Sequence, residues 1–428
     1  MGRVAVIGGG ASGMMAAVTA ARLGAEVTVY EKNDRVGKKI LVTGNGKCNF
    51  SNRDFSERYY YGDRKKLKSF FDRFSVEDAV DFFIKAGMLV KDKGGYLYPW
   101  PEQASAVLEI LRMEMKRSGV KIELCANVKR IGNEKGNGLW TVYFGTEKAE
   151  HDAVILACGG CAAPKTGSNG DGFALARKLG HHIRPVVPAL VQLRCKDHFL
   201  KITAGVRCQA KIGLYEEKKG GIRELLQEEE GEVQFTDYGI SGIPVFQLSR
   251  QAAYLIEEGK AAAVSIDLLP QMDKQEFEEM CGQRIENAYD RTLEEFLLGL
   301  ANKKINLMMI KEAGHKPADE AGKLGERRLE KLLYGYKELW VHIDAANSFD
   351  HAQVTAGGVE LDEVTQNLES EKRPGIFFAG EILDVDGRCG GYNLQWAWTS
   401  GYIAGKSAAQ RCQKQDGKAE KENGRQRE

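Results

Sequence analysis

The sequence predicts an α/β chain in which a discontinuous Rossmann-like domain is interrupted by an antiparallel β domain and a helical cap. Three observations carry this. The chain opens on an apolar strand, a glycine-rich turn and an alanine-rich helix. Towards its end it returns to a buried strand closed by glycine and an acid. Between these lie alternating β-branched residues and then a long, charged helical stretch.

The opening is the most informative stretch. Val4-Ala5-Val6-Ile7 reads as a strand, Gly8 to Gly13 as a tight turn, and Met14 to Leu23 as a helix ended by Gly24. Glu26 to Tyr30 reads as a second strand, closed by Glu31. The spacing is Gly8-x-Gly10-x-x-Gly13. In such a turn the first glycine allows the tight bend. The second lets backbone approach a pyrophosphate, and the third lets the helix pack on the strand. The free N–H groups at the helix start, with the helix dipole, favour an anion. Glu31 follows Gly13 at 31 − 13 = 18 residues. That is about the distance at which an acid meets the ribose of an adenine dinucleotide. A carboxylate there repels a 2′-phosphate, so the pattern favours FAD or NAD over NADP.

The chain has 428 residues, enough for two or three domains. A net charge of +1 gives no bulk attraction to nucleic acid or an acidic membrane. No apolar run approaches the ~18 residues that span a bilayer. The chain enters a strand almost at once, so no signal peptide is expected and the location expected is cytoplasmic. Nine scattered cysteines fit reduced thiols better than a disulfide framework.

After Glu31, the basic and glycine-rich stretch from Lys32 to Asn52 suits phosphates and a reactive ring. Asp63 to Gly87 reads as one helix with an apolar phenylalanine face, and Asp152 to Ala157 as a buried strand running into Cys158-Gly159-Gly160. Thr166 to Gly172 is a tight turn. From Pro185 the pattern alternates, and Val186–Arg194, Gly205–Tyr215, Ile222–Leu226 and Val233–Phe235 read as a small antiparallel sheet or barrel. Asp273 to Gly335 is mostly helical and charged. Gly375 to Glu381 reads as strand, and Leu394 to Ala408 as a helix with small residues at Ala397, Ser400, Gly401, Ala404 and Gly405.

Taken together, Val6 to Gly13, Gly37-Lys38-Lys39, Thr43 to Asn52, Gly95 to Pro99, Thr166 to Gly172, Phe235 to Pro244, Thr355 to Val359 and Phe378 to Gly401 resemble the HI0933-like flavoproteins. These are bacterial proteins with a two-dinucleotide-binding-type fold. The resemblance covers Val4 to about Arg411. It implies bound FAD, with residues 1–188 and 345–412 as the FAD-binding domain. The chain's own pattern gives a β domain of 189–260 and 336–344, a helical cap of 261–335 and, from its polar, charged composition, a disordered tail of 413–428.

Carried onto this chain, the resemblance puts Gly8, Gly10, Ala11, Ser12 and Gly13 at the pyrophosphate. Glu31 takes the adenosine ribose, with Lys32 beside it. Lys38 and Lys39 lie by the phosphates and ribityl chain, and Gly46, Cys48 and Asn49 along the cofactor towards its ring. Val128 meets adenine through its backbone. Gly380 and Glu381 approach the ribityl chain. Gly391, Tyr392, Asn393 and Leu394 start a helix aimed at the pyrimidine end of the flavin, where negative charge collects on reduction. Cys158 and Cys161 depart from the threonine, serine or alanine often found there in the family, and Tyr98 from phenylalanine.

Family activities include reduction of a bile-acid intermediate, reduction of a uridine in ribosomal RNA, and aminoacetone oxidation. The first two substrates share a C=C bond conjugated to a carbonyl, so both need hydride delivery, oxyanion donors and one proton source. The leading expectation is an ene-reductase for a 3-oxo-4,6-diene bile acid in 7-dehydroxylation, with NAD(P)H as a transient reductant. Only one Gly-x-Gly-x-x-Gly stands between a strand and a helix, so no dedicated nicotinamide domain is expected. The expected partner is a small apolar enone. An RNA partner would need a basic face, and Lys303, Lys304, Lys311, Lys323, Arg327, Arg328 and Lys331 are the residues available for one. Tyr392, Tyr98 and Asp384, with Asp386, are weak candidates for the proton source. Cys158-x-x-Cys161 has dithiol spacing without a thioredoxin-like setting. No metal site is expected, His181-His182 lacking further ligands.

Overall fold

The computed structural model describes residues 2–133 and 138–425, with side chains described as far as 414. The chain divides into two compact units, one of Met1–Val186 with Gln353–Glu428, the other of Val187–Ala352.

The first unit is built on a five-stranded parallel sheet. Its order is Ile376–Phe378, Ala153–Leu156, Arg3–Ile7, Glu26–Tyr30 and Lys121–Glu123. Val4 stands beside Ala153 and Val27, and Val154 beside Ile376. The central strands read as continuous apolar runs, as strands buried on both faces do. Val4, Val6, Val154 and Ile155 have no exposed surface.

Two helices cover one side of the opening strand. Ala11–Arg22 follows the glycine turn, and Tyr392–Arg425 closes the unit. The small residues of the closing helix let the two axes come close. A Cβ on Gly401 would fall 2.5 Å from the Ser12 carbonyl oxygen, and one on Gly405 would overlap that of Ala16. The stretch expected to be a tail from 413 is continuous with this helix as far as Arg425, and 426–428 lie outside the described residues.

The helix expected over Asp63–Gly87 is two helices, Arg64–Phe71 and Val76–Lys85. Ser75 starts the second. Its side chain accepts from the Asp78 N–H while the Asp78 side chain accepts from the Ser75 N–H. This reciprocal cap stops one helix and starts another, which the unbroken phenylalanine periodicity conceals.

The second unit is a closed six-stranded barrel with helices. Around it run Leu193–Cys195, Gly239–Ser241, Arg223–Phe235, Arg207–Glu217, Ala261–Asp267 and Leu339–Ala346, and Leu193 closes the ring against Ala346. Two stretches expected as separate strands, Ile222–Leu226 and Val233–Phe235, form one long strand. Its glutamates keep pairing with Arg207–Glu217 between them. Ala261–Asp267 lies where the helical cap was expected to begin. It pairs on both edges, with Gly213 opposite Ser265 and Val264 opposite Val341. Alanine favours helix locally, and pairing on both edges overrides it. The helices Lys274–Glu286, Leu293–Phe296, Lys303–Glu312 and Glu326–Tyr334 follow in sequence. Among the described residues, no helix is long and apolar enough to cross a membrane.

Candidate functional site: a dinucleotide cleft

One cleft in the first unit gathers residues from both ends of the chain. It encloses about 1260 Å³ of non-atom space, its mouth included. It lies beyond the carboxyl ends of the parallel strands, where open α/β sheets bind ligands. Its wall includes Gly8, Gly10, Ala11 and Ser12 from the turn, Glu31 and Lys32 after the second strand, and Lys38 and Lys39 after that. Val128, Glu381, Asn393 and Leu394 complete the expected residues that reach it.

The turn has the geometry that its glycines foretell. Gly8 has φ +106°, and a Cβ there would sit 2.5 Å from the Ala157 carbonyl oxygen. A Cβ on Gly13 would overlap the Gly8 carbonyl oxygen, so Gly13 serves helix–strand packing and does not line the cleft. A Cβ on Gly10 would meet no protein atom within 4 Å. Gly10 is therefore bare towards the cleft, which leaves room for a ligand to approach the backbone. Ser12 ties the two ends of the chain together, its hydroxyl donating to the Ala379 carbonyl at 3.2 Å.

Glu31 is held by three donors. One carboxylate oxygen accepts from the Gly9 N–H at 2.8 Å. The other accepts from the Asn33 N–H at 2.8 Å and the Asn33 side-chain amide at 2.7 Å. A carboxylate has about four acceptor positions, so one remains for a ribose hydroxyl. Lys32 pairs with Asp171 at 2.8 Å and also bonds Asn169. Lys38 pairs with Asp34 at 2.7 Å, and Lys39 with Glu381 at 2.8 Å. Glu381 also accepts from the Thr355 N–H at 2.6 Å.

Other expected residues stand back from the cleft. Gly46, Cys48 and Asn49 do not line it, although Thr43 of the same stretch does. Cys48 is fully buried, and burial pushes its thiol up to about 12. Asn49 has a buried side-chain oxygen with no hydrogen-bond partner, close to where a Cβ of Gly391 would be. Gly380 and Gly391 also lie outside the lining. The Asn393 side chain is turned away on the preceding loop, accepting from the Gly387 N–H and donating to its carbonyl, both at 2.8 Å.

None of Tyr392, Tyr98 and Asp384 lines the cleft. The Tyr392 hydroxyl donates to the Asp54 carbonyl at 2.8 Å, and burial raises its pKa. Tyr98 lies on the strand Tyr96–Pro99, its pKa raised mainly by burial. Asp384 pairs with Arg184 at 3.1 Å. Asp386 is buried on a short strand paired with Tyr61. Cys158 does line the cleft, yet burial pushes its thiol up to about 12 and both it and Cys161 are free. His181 is used internally, at 2.7 Å from both Glu363 and Ser370. Among the described residues no cluster suits a metal.

The cleft also includes Gly159, on the stretch where the sequence leaves backbone free to meet a ligand, and Asn33, Asn127, Thr166 to Ser168, Asp171 and Gln353, to which the sequence assigned no individual site role. Thr166 to Gly172 is recognisable in sequence only as a turn. Its place in the wall comes from the strand Ala153–Leu156, which ends beside the glycine turn.

Residues 2–407 match the family of the HI0933-like protein Rossmann domain. The chain belongs to this family. It is 42% identical to 3-dehydro-bile acid delta(4,6)-reductase of Clostridium scindens, over 96% of this chain and 100% of that protein. It is 29% identical to ribosomal RNA dihydrouridine synthase of Haemophilus influenzae, over 94% of this chain and 97% of that one. A solved 3-ketosteroid dehydrogenase of Rhodococcus jostii is similar at a TM-score of 0.48 and 16% identity, over 96% of each chain. In this family frame, the bare Gly10, the tethered Glu31 and the lysines around the cleft fit an adenine dinucleotide with free ribose hydroxyls.

Proposed function

We propose that the protein is an FAD-dependent oxidoreductase acting on CH–CH groups. It reduces a C=C bond conjugated to a carbonyl in 3-oxo-4,6-diene bile acid intermediates of 7-dehydroxylation, with NAD(P)H as a transient reductant. The observation that carries this reading is the 42% identity to a 3-dehydro-bile acid delta(4,6)-reductase across that protein's whole length. The cleft supports the cofactor half of it. When bound, FAD supplies the hydride for the carbon β to the carbonyl.

The chain's own residues bind and orient. The backbone N–H groups of Gly10, Ala11 and Ser12 face a pyrophosphate, those of Gly8 and Gly9 being taken by the Tyr30 carbonyl and Glu31, and Glu31 accepts from a ribose hydroxyl. Lys39 balances Glu381 beside the ribityl chain. The first turn of the closing helix, at Asn393 and Leu394, offers N–H groups that stabilise negative charge. Cys48, Cys125, Cys158, Cys161, Cys195, Cys208 and Cys281 are free thiols, which supports a reducing compartment and, with it, a cytoplasmic location.

The test is anaerobic. The reduced protein is mixed with a 3-oxo-4,6-diene steroid acid and the flavin absorbance is followed. Reoxidation within seconds to minutes, with loss of the diene chromophore, is expected. An unchanged reduced flavin would remove the substrate assignment.

A second reading, reduction of a uridine in ribosomal RNA, is supported by the relatives of that name at 29% and 28% identity. The basic helices give it less support. Lys303 pairs with Glu294 and Lys323 with Glu320, both at 2.8 Å, and Lys304 donates to the Ala204 carbonyl. Salt-sensitive binding of ribosomal RNA by the purified protein would favour this second reading.

A further inference from the structure

Asn33 is the residue around which the adenosine end of the cleft is tied. Its backbone N–H and its side-chain amide both donate to the same Glu31 oxygen, at 2.8 and 2.7 Å. The same side-chain nitrogen donates to the Thr166 carbonyl at 3.2 Å. Its own carbonyl accepts from the Cys125 N–H at 3.0 Å. The other Glu31 oxygen is fixed by the Gly9 N–H at 2.8 Å. One amide side chain therefore links the acid to the Thr166–Gly172 turn, and the acid links back to the glycine-rich turn.

The neighbouring turn is shaped around this contact. Gly167 has φ +104°, and a Cβ there would overlap the Asn33 side-chain nitrogen. The adjacent Lys32 makes a second tie to the same turn through Asp171, at 2.8 Å. Its charge is thereby matched, and it is not left over for a 2′-phosphate.

We propose that Asn33 is a positioning residue for dinucleotide binding, which acts by fixing the orientation of the Glu31 carboxylate towards the adenosine ribose. The inference rests on the reading of the cleft as an FAD site. Glu31 is buried, and a carboxylate already held in the orientation that the ribose needs lowers the cost of binding. Asn33 needs no contact with the ligand for this. Its effect must pass through Glu31, and that separates it from a direct binding residue.

A double-mutant cycle tests it. FAD is titrated into the apoproteins of the wild type, Asn33→Ala, Glu31→Gln and the double variant, with flavin fluorescence as readout. Apoprotein melting temperatures are recorded alongside. Asn33→Ala is expected to weaken FAD binding about tenfold, the size of one hydrogen bond to a charged group. In the Glu31→Gln background it is expected to cost less than about twofold. Discrimination between AMP and 2′-deoxy-AMP, measured by displacement of FAD, is expected to fall with Asn33→Ala. Equal losses in both backgrounds, or no loss in either, would overturn the proposal. Should Asn33→Ala fold poorly, Gly167→Ala displaces the amide while keeping Asn33. Coupling of Gly167→Ala with Glu31→Gln supports the proposal, and additivity overturns it. A wild type that takes up no FAD would instead remove the reading of the cleft itself.

Discussion

Lys39 and Glu381 stand 342 positions apart in the chain and meet in the cleft, the Lys39 ammonium donating to the Glu381 carboxylate at 2.8 Å. The second Glu381 oxygen is taken by the Thr355 N–H at 2.6 Å. The pair joins the loop after the second strand to the loop after the last, and both residues line the cleft. Lys39→Gln leaves Glu381 without its counter-charge beside the anionic cofactor. FAD affinity is expected to fall about tenfold, a loss in the range of one charge-assisted hydrogen bond. The same change in a Glu381→Gln background is expected to cost less. Fluorescence titration of the apoproteins checks this.

Two glycines of one turn separate binding from stability. Gly10→Val adds a side chain where no protein atom lies within 4 Å. The apoprotein is expected to melt within a degree or two of the wild type while flavin binding is lost. Gly13→Ala drives a methyl into the Gly8 carbonyl. It is expected to cost about 1–3 kcal/mol of stability, the usual range for overpacking. Thermal melts with and without FAD distinguish the two.

His151 gives the fold an acid-sensitive point. Its ring lies 2.9 Å from the Tyr30 hydroxyl, its other nitrogen is buried without a partner, and burial lowers its pKa to about 4. The unfolded chain takes up this proton near pH 6.5. The contribution of neutral His151 is therefore fully present above pH 6.5 and is lost as pH falls towards 4. His151→Gln is expected to flatten the fall of the urea midpoint over that window.

Cys48 acts at the other end of the scale. Its thiol is pushed up to about 12 from an ordinary value near 9, so the native state favours the neutral form. That contribution is present below pH 9 and is lost as pH rises from 9 to 12. Cys48 is also expected to resist a thiol reagent at pH 8, while the exposed Cys125 reacts. Peptide mapping after brief alkylation checks it.

The sequence made the local parts of the site legible. Gly8 to Glu31 is contiguous, so strand, turn, helix and acid report on one another through spacing alone. Glu381 was readable because a buried strand ends in it. Asn33 and the Thr166–Gly172 turn were not, because their role arises only when the parallel strands are set side by side. Gly46, Cys48 and Asn49 stand back from the lining of the cleft. A basic, glycine-rich stretch after a nucleotide-binding strand does reach the cleft, but through Thr43, while Cys48 packs into the core. The strand Ala261–Asp267 and the helix break at Ser75 were missed where tertiary pairing and a side-chain cap outweighed composition.

The most direct measurement is the flavin content of the purified protein. Its absorbance spectrum is recorded, then the cofactor is released and identified by chromatography, with reconstitution by added FAD where occupancy is partial. One FAD per chain is expected, with neither FMN nor NADP able to replace it. A colourless protein that takes up no added FAD would contradict this.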